Sequence, residues 1–360
     1  MKKLQFKQGL VTLAVFLSAA TLSVRAEEVK KDFHREMVPG ANTTLTVINK
    51  FGDVVTQTWA QNNIVVDVIV TVENASPERA RKMLDMITVE FTEADGNLTA
   101  ETVFKEEFSS KSWGNDNNRF SIDYSIKMPA KINLSLTNKY GNSDIDEVSG
   151  LARLEVKYGN LTVHKLTRGN VKPLNSLVVA YGKATVDEVS WAEINARYCG
   201  QFTVVKATAL LADTRYSKIS IGEVSSLVSE SKYDGYNVDK AVNIIAISGY
   251  TNLTFNNVSK KLDVETKYGN LSVDRVSAGF ENINVKAAYC SVRLGIEPGA
   301  CYLLNATSSY GGIKVEEAGF SPDKRIINNT SSELAGKVGS CANPKSTVTV
   351  AVSYGSAKLY

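Results

Sequence analysis

Leu262-Asp263-Val264-Glu265-Thr266-Lys267-Tyr268-Gly269-Asn270-Leu271-Ser272-Val273 reads as two short strands around a corner. Alternate side chains of a strand share a face, so Leu262, Val264 and Thr266 line one side and Asp263, Glu265 and Lys267 the other. Tyr268-Gly269-Asn270 breaks the alternation with turn chemistry, and Leu271 and Val273 resume it. Counting by twos from Leu262 places Tyr268 on the apolar parity, the side expected to face the core.

The same unit recurs through most of the chain. KYGNSDI begins at Lys139 and KYGNLTV at Lys157, and the aromatic position repeats at Phe51, Tyr140, Tyr158, Tyr181, Tyr198, Tyr216, Tyr233, Tyr250, Tyr268, Tyr289, Tyr310 and Tyr354. Glu333 takes the equivalent place in SSELAGKV, and from Tyr140 onward the steps are 17 to 23 residues. A unit this short cannot bury its apolar face alone, whereas stacked units bury it and pair each backbone edge with the next. The expectation is an all-β fold: a parallel β-helix or β-roll solenoid of about thirteen two-strand units, roughly 60 Å long at one strand spacing per coil. Pro39, Pro129, Pro298, Pro322 and Pro344 precede corner positions and are expected where strands begin, since proline donates nothing to a ladder.

Residues 27–128 are expected to form an N-terminal capping section and 129–360 the repetitive solenoid. Between Trp59 and Met128 the short period is lost: Ile64 to Val72 alternates, and Ser76-Pro77 opens a helix with Ala80, Met83, Leu84 and Ile87 as its apolar stripe. Asp95-Gly96 marks a hairpin, a polar loop runs around Trp113 to Asn118, and Phe120 to Lys127 alternates again.

Residues 1–26 carry the order of a secretory signal: Lys2, Lys3 and Lys7, an apolar run from Leu10 to Leu22, then Val24-Arg25-Ala26. Its removal takes away four cations and no acid, so the formal charge moves from +3 to −1. The basicity thus belongs to the signal, and nucleic acid is not an expected partner. No later stretch is apolar and long enough for a spanning helix, so the mature chain is expected without a transmembrane segment, in the periplasm or at the surface of a bacterium.

Chemistry-bearing residues are few. Cys199, Cys290, Cys301 and Cys341 are expected as free core cysteines, with a Cys301–Cys341 bridge as the alternative. Cys199 and Cys290 lie five coils apart, and Cys301 and Cys341 about two, against the roughly 7 Å that a bridge allows between Cα atoms. No CxxC spacing suggests zinc. His34 and His164 read as surface histidines, and Asp144, Asp146 and Glu147 as a turn. Glu155 with Lys157, Asp213 with Arg215, Glu230 with Lys232 and Glu265 with Lys267 put an acid and a base two apart on the outer parity, a soluble face of alternating charge. No catalytic, cofactor or metal residues are assigned.

The arrangement resembles the bacterial putative-adhesin β-strand-repeat family, a domain family of unknown function. The likeness rests on LTVINKFGDV from Leu45, Trp59 before an alternating strand, the Ser76 to Met86 helix, the Asp95-Gly96 hairpin, YSIKMPA from Tyr124 and the NKYGN-type corners. Tyrosine at nearly every corner and longer steps after Tyr268 depart from the family's usual look. The resemblance implies an exported β-solenoid. The expected function is a non-enzymatic envelope scaffold or adhesion-type binding module whose partner is an envelope glycan or protein. The alternatives are a carbohydrate-active enzyme on a β-helix, which needs clustered carboxylates, and an outer-membrane β-barrel-like protein.

Overall fold

The computed structural model describes residues 27–74, 76–108, 119–316 and 319–360. The expected signal and the loop from Trp113 to Asn118 lie outside the described residues. The chain is all-β, with Pro77–Leu84 as the α-helix among the described residues.

Strands preceding a corner stack on one another in parallel. Thr44–Lys50 pairs with Asn133–Lys139, which pairs with Ala152–Lys157. Strands following a corner form a second parallel layer, in which Leu161–Leu166 lies between Ser143–Val148 and Lys183–Arg197. In the middle of the chain the two layers are joined without a break. Lys183–Arg197, Gln201–Arg215, Lys218–Lys232, Gly235–Gly249 and Asn252–Lys267 each run from one corner to the next as a single strand.

The core lies between the layers. Leu154 and Val156 from one and Leu161 and Val163 from the other are at most 1% exposed. Phe202 and Phe255 fill it farther along, and each such side chain contributes about 1.5–3 kcal/mol by leaving water. Transmembrane barrels are built from antiparallel strands; the coils here pair in parallel.

At the N-terminal end the pairing turns antiparallel. Glu27–Met37, Ile64–Asn74 and Arg119–Met128 form a three-stranded edge that joins the first coil through Val54–Thr58. The hairpin Ile87–Ala94 and Asn97–Phe104 turns at Asp95 and Gly96, both at positive φ as a type I′ turn requires. Ser76 holds the N-cap position of the helix, but its side chain makes no capping hydrogen bond; its N–H donates to the Asn74 Oδ1 at 2.6 Å. Ile87, expected on the helix stripe, begins the hairpin, and Ala80, Met83 and Leu84 bury the helix.

The C-terminal end departs from stacking in chain order. Ser346–Ser353 lies between Asn282–Ala288 and Tyr302–Ser309, parallel to both. Ser331–Val338 runs antiparallel along Tyr302–Ser309 and carries Phe320–Ile327 on its other side. Glu333, expected at a thirteenth corner, therefore sits within a hairpin strand opposite Thr307. Pro322 lies in the outer hairpin strand beside a bulge, a place where a missing donor costs nothing. The hairpin also changes the cysteine expectation. Cys301 and Cys341 are disulfide-bonded with Cα atoms 6.0 Å apart, because the insertion carries Cys341 back beside the strand that Cys301 precedes. Cys199 and Cys290 are free and buried.

Candidate functional site: an exposed tyrosine ladder and its flanking columns

The corner aromatics do not face the core. Eleven tyrosines and Phe51 adopt φ between 51 and 64°, the left-handed region. That conformation resets the alternation, so the side chain swings outward and the next residue takes the inner place. The corner tyrosines are 44–61% exposed. Gly159, Cys199, Ser217, Asp234 and Thr251 each stand one place after a corner, and apart from the glycine these side chains are buried.

The rings form one continuous stack. Neighbouring centroids are 4.7–5.0 Å apart and neighbouring planes within 17°, from Phe51 through Tyr140 to Tyr289, then Tyr354, then Tyr310. Stacking covers the ring faces and leaves edges and hydroxyls outward. At the N-terminal end Phe104 and Phe120 pack against Phe51 and Phe108 packs against both, closing the stack with apolar rings. This closure was invisible in the sequence, because Phe104, Phe108 and Phe120 share no period with the corners.

A left-handed non-glycine residue costs about 1–2 kcal/mol, and a stacked aromatic pair returns about 0.5–1.5 kcal/mol. Each interior ring has two neighbours, so stacking roughly offsets the strain. The corner N–H stays in the backbone network, as where Tyr198 donates to the Arg215 carbonyl at 3.0 Å. Tyr216→Ala keeps the strain and loses both contacts, so it is expected to cost about 1–3 kcal/mol. Tyr216→Gly relieves the strain and is expected to cost less. Urea unfolding of both variants checks the order; equal stability of Tyr216→Ala and the parent would mean that the stack contributes nothing.

Parallel register stacks like charges over parts of the outer face. One residue before the corner stand Lys139 and Lys157, then Ala180, then Arg197, Arg215 and Lys232. Three residues before it stand Asp213 and Glu230, with Ile247 and Glu265 next in the same column. In the middle coils the acid and base two apart along each strand become an acidic row beside a basic one. Lys157 meets Glu155 at 2.6 Å and Arg197 meets Asp213 at 2.7 Å. The basic column is interrupted at Ala180 and again at Gly249, where Lys232, Ile247, Tyr250, Lys267 and Tyr268 border a recess of about 290 Å³. A second recess of about 420 Å³ opens where Ala288, Ser309 and Ser353 replace longer side chains.

Asp144 and Asp146, expected in a turn, lie in the strand Ser143–Val148. His164, in the next coil, has its Nδ1 2.9 Å from Asp187 and its Nε2 3.3 Å from Asp144. The Asp187 hydrogen bond, with the Asp144 and Asp146 charges behind it, raises its pKa above the usual imidazole value. His34 Nδ1 is 2.6 Å from Asp67 at the N-terminal edge. Among the described residues no group of three or more His, Cys, Asp or Glu is placed to hold a metal ion.

Inside the corners a second chain of contacts runs along the stack. The Cys199 N–H donates to Ser217 Oγ, the Ser217 N–H to Asp234 Oδ1 at 2.7 Å, and the Asp234 N–H to Thr251 Oγ1. Thr214 donates to Asp234 Oδ2 at 2.7 Å. Burial raises the Asp234 carboxyl pKa above its ordinary 3.8, against these hydrogen bonds. The folded chain therefore holds this proton more tightly than the unfolded chain. Stability falls as pH rises from about 4 through the raised folded value. Asp234→Asn lacks that titration, so the advantage of the parent over this variant is expected to be larger at pH 4 than at pH 7 in urea melts. An advantage that grows with pH would contradict the assignment.

Comparison with family models finds no match, and comparison with curated protein sequences finds none. Among solved structures, a putative cell adhesion protein from Clostridium sporogenes is 9% identical, covers 92% of this chain and 99% of its own, and has a TM-score of 0.20. A putative adhesin from Parabacteroides distasonis is 10% identical over 92% of this chain and 97% of its own, at 0.33. A putative lipid binding protein from the same species is 9% identical over 91% and 96%, at 0.26. At this distance the neighbours carry no residue-level or functional argument. The chain is similar to solved structures of putative adhesins, at low identity.

Proposed function

We propose that this chain is an exported, non-enzymatic β-solenoid that works as an envelope scaffold or adhesion-type binding module. The observation that carries the reading is the exposed ladder itself. Corner groups repeat every 4.7–5.0 Å beside a charged outer face, which makes a long one-dimensional surface suited to a repetitive or extended partner. The outer acids favour a non-enzymatic role, since Glu155 and Asp213 are held by the adjoining basic column. The Cys301–Cys341 disulfide agrees with an oxidising compartment outside the cytoplasm.

The test is binding of purified, labelled chain to isolated envelopes of the native host. Saturable retention, competed by unlabelled chain, is the expected result. A chain that stays wholly in the soluble fraction and shows no retention would overturn it. Turnover of a uronic-acid polymer, abolished by Asp146→Ala, would replace it with the enzymatic alternative.

A further inference from the structure

We propose that the face bordered by the tyrosine ladder binds a second copy of this chain, with the twofold axis running along the coil stack. The two outer columns change character together in six of the eight coils from Tyr140 to Tyr268. The residues three and one before the corner are Thr137 and Lys139, Glu155 and Lys157, Val178 and Ala180, Asn195 and Arg197, Asp213 and Arg215, Glu230 and Lys232, Ile247 and Gly249, Glu265 and Lys267; the Thr137 and Asn195 coils pair a neutral polar residue with a cation. In-register pairing keeps each set in its own column.

A twofold axis midway between the columns and parallel to the stack places one copy's outer column on the other's inner column. Acid then meets base in the charged coils and Val178 meets Ala180. Ile247 meets the recess over Gly249, between Lys232 and Lys267. An axis across the stack would set acid against acid, so complementarity selects the first arrangement. Ion pairing within one strand accounts for the acid and base spacing, but not for Ile247, which is 56% exposed. Nor does it account for Leu211, Val228 and Ile245, which stand in register five residues before their corners and are 37%, 41% and 49% exposed. Under the same axis this apolar column falls along the partner's tyrosine edge. Contiguous exposed apolar groups rimmed by charge are a mark of an interface.

The dimensions fit. From Tyr140 to Tyr268 the face is about 35–40 Å long, and from the apolar column to the ladder it is about 20 Å wide. That is about 700–800 Å² per copy, close to a standard interface. Exposed ion pairs contribute little each, so the columns set register while Ile247, Leu211, Val228 and Ile245 supply most of the affinity.

Sedimentation of the purified chain across the micromolar range at low salt tests this. A concentration-dependent dimer is expected. Lys232→Glu with Lys267→Glu makes both columns acidic in two coils, and Glu230→Lys with Glu265→Lys makes both basic. Each double variant alone is expected to weaken the dimer at least about tenfold, and an equimolar mixture to restore it as a mixed dimer. That rescue also shows that both variants fold. A monomer at all concentrations, variants that dimerise like the parent, or a mixture that fails to associate would each overturn the proposal. Salt-sensitive retention of a monomeric parent on a polyanion column, lost in Lys232→Glu with Lys267→Glu, would assign the face to an anionic polymer instead.

Discussion

Adding one methyl group at Gly159 is expected to cost about 3–5 kcal/mol, enough to unfold the middle of the stack in a chain of ordinary stability. A Cβ on Gly159 would lie 1.8 Å from the carbonyl oxygen of Gly141, and one on Gly182 would lie 1.8 Å from that of Gly159. The obstacle is backbone held by coil-to-coil hydrogen bonds, so it cannot swing aside as a side chain can. Gly235 comes after a corner too, but one place farther on, and a Cβ there meets nothing within 4 Å. Gly235→Ala is therefore the matched control, expected within about 0.5 kcal/mol of the parent. Urea unfolding of the two variants checks the contrast. A loss below about 1 kcal/mol in Gly159→Ala would mean that the corners relax freely.

The contrast explains why corner sequences fall into two kinds. Where glycine comes next after the aromatic, successive backbones nearly touch. Where Cys199, Ser217, Asp234 or Thr251 takes that place, the corner holds a side chain inward and the coils are tied by hydrogen bonds from N–H to side-chain oxygen. Mixed junctions keep the close approach on the glycine side: a Cβ on Gly269 would lie 2.0 Å from the Thr251 carbonyl oxygen, and one on Gly355 2.0 Å from that of Cys290.

The repeat, the strand parity of Leu262 and Val264, the helix from Pro77 and the Asp95-Gly96 hairpin were legible because each depends on neighbours in sequence. The tyrosine orientation was not, since parity counting assumes extended backbone and a single left-handed residue inverts it. Tyrosine is a poor guide to φ, whereas Asp95-Gly96 announces its own positive φ. How far the charge columns run depends on register: Asp213 stacks on Glu230 and Arg215 on Lys232, whereas Glu265 stands between Ile247 and Lys286. The C-terminal insertion was out of reach of any local pattern. Ser346–Ser353 alternates like any other strand, and nothing in it says that its neighbours are residues 282–288 and 302–309. From that one unread pairing came the misplacement of Glu333 and the preference for free thiols at Cys301 and Cys341 over their bridge.

Reduction of the Cys301–Cys341 disulfide, or its removal by Cys301→Ser with Cys341→Ser, is expected to destabilise the C-terminal end by up to about 4 kcal/mol. The bond closes a loop with a sequence separation of 40, and chain entropy alone gives that order of magnitude. The loss should be local. The loop holds the last ladder ring, Tyr310, the short strand Gly312–Val315 and the hairpin that covers the edge of the stack. Ser346–Ser353 keeps its pairing with Asn282–Ala288 whether or not the bond is present. Amide exchange should therefore accelerate across residues 302–338 while residues 133–267 keep their protection. Freed of the hairpin, Tyr302–Ser309 becomes an open edge, and unpaired edges recruit other chains, so slow aggregation should accompany reduction. Unchanged exchange in 302–338 would show that the hairpin holds without the bond. Uniform acceleration through 133–267 would show instead that the stack unfolds as one cooperative unit from its C-terminal end.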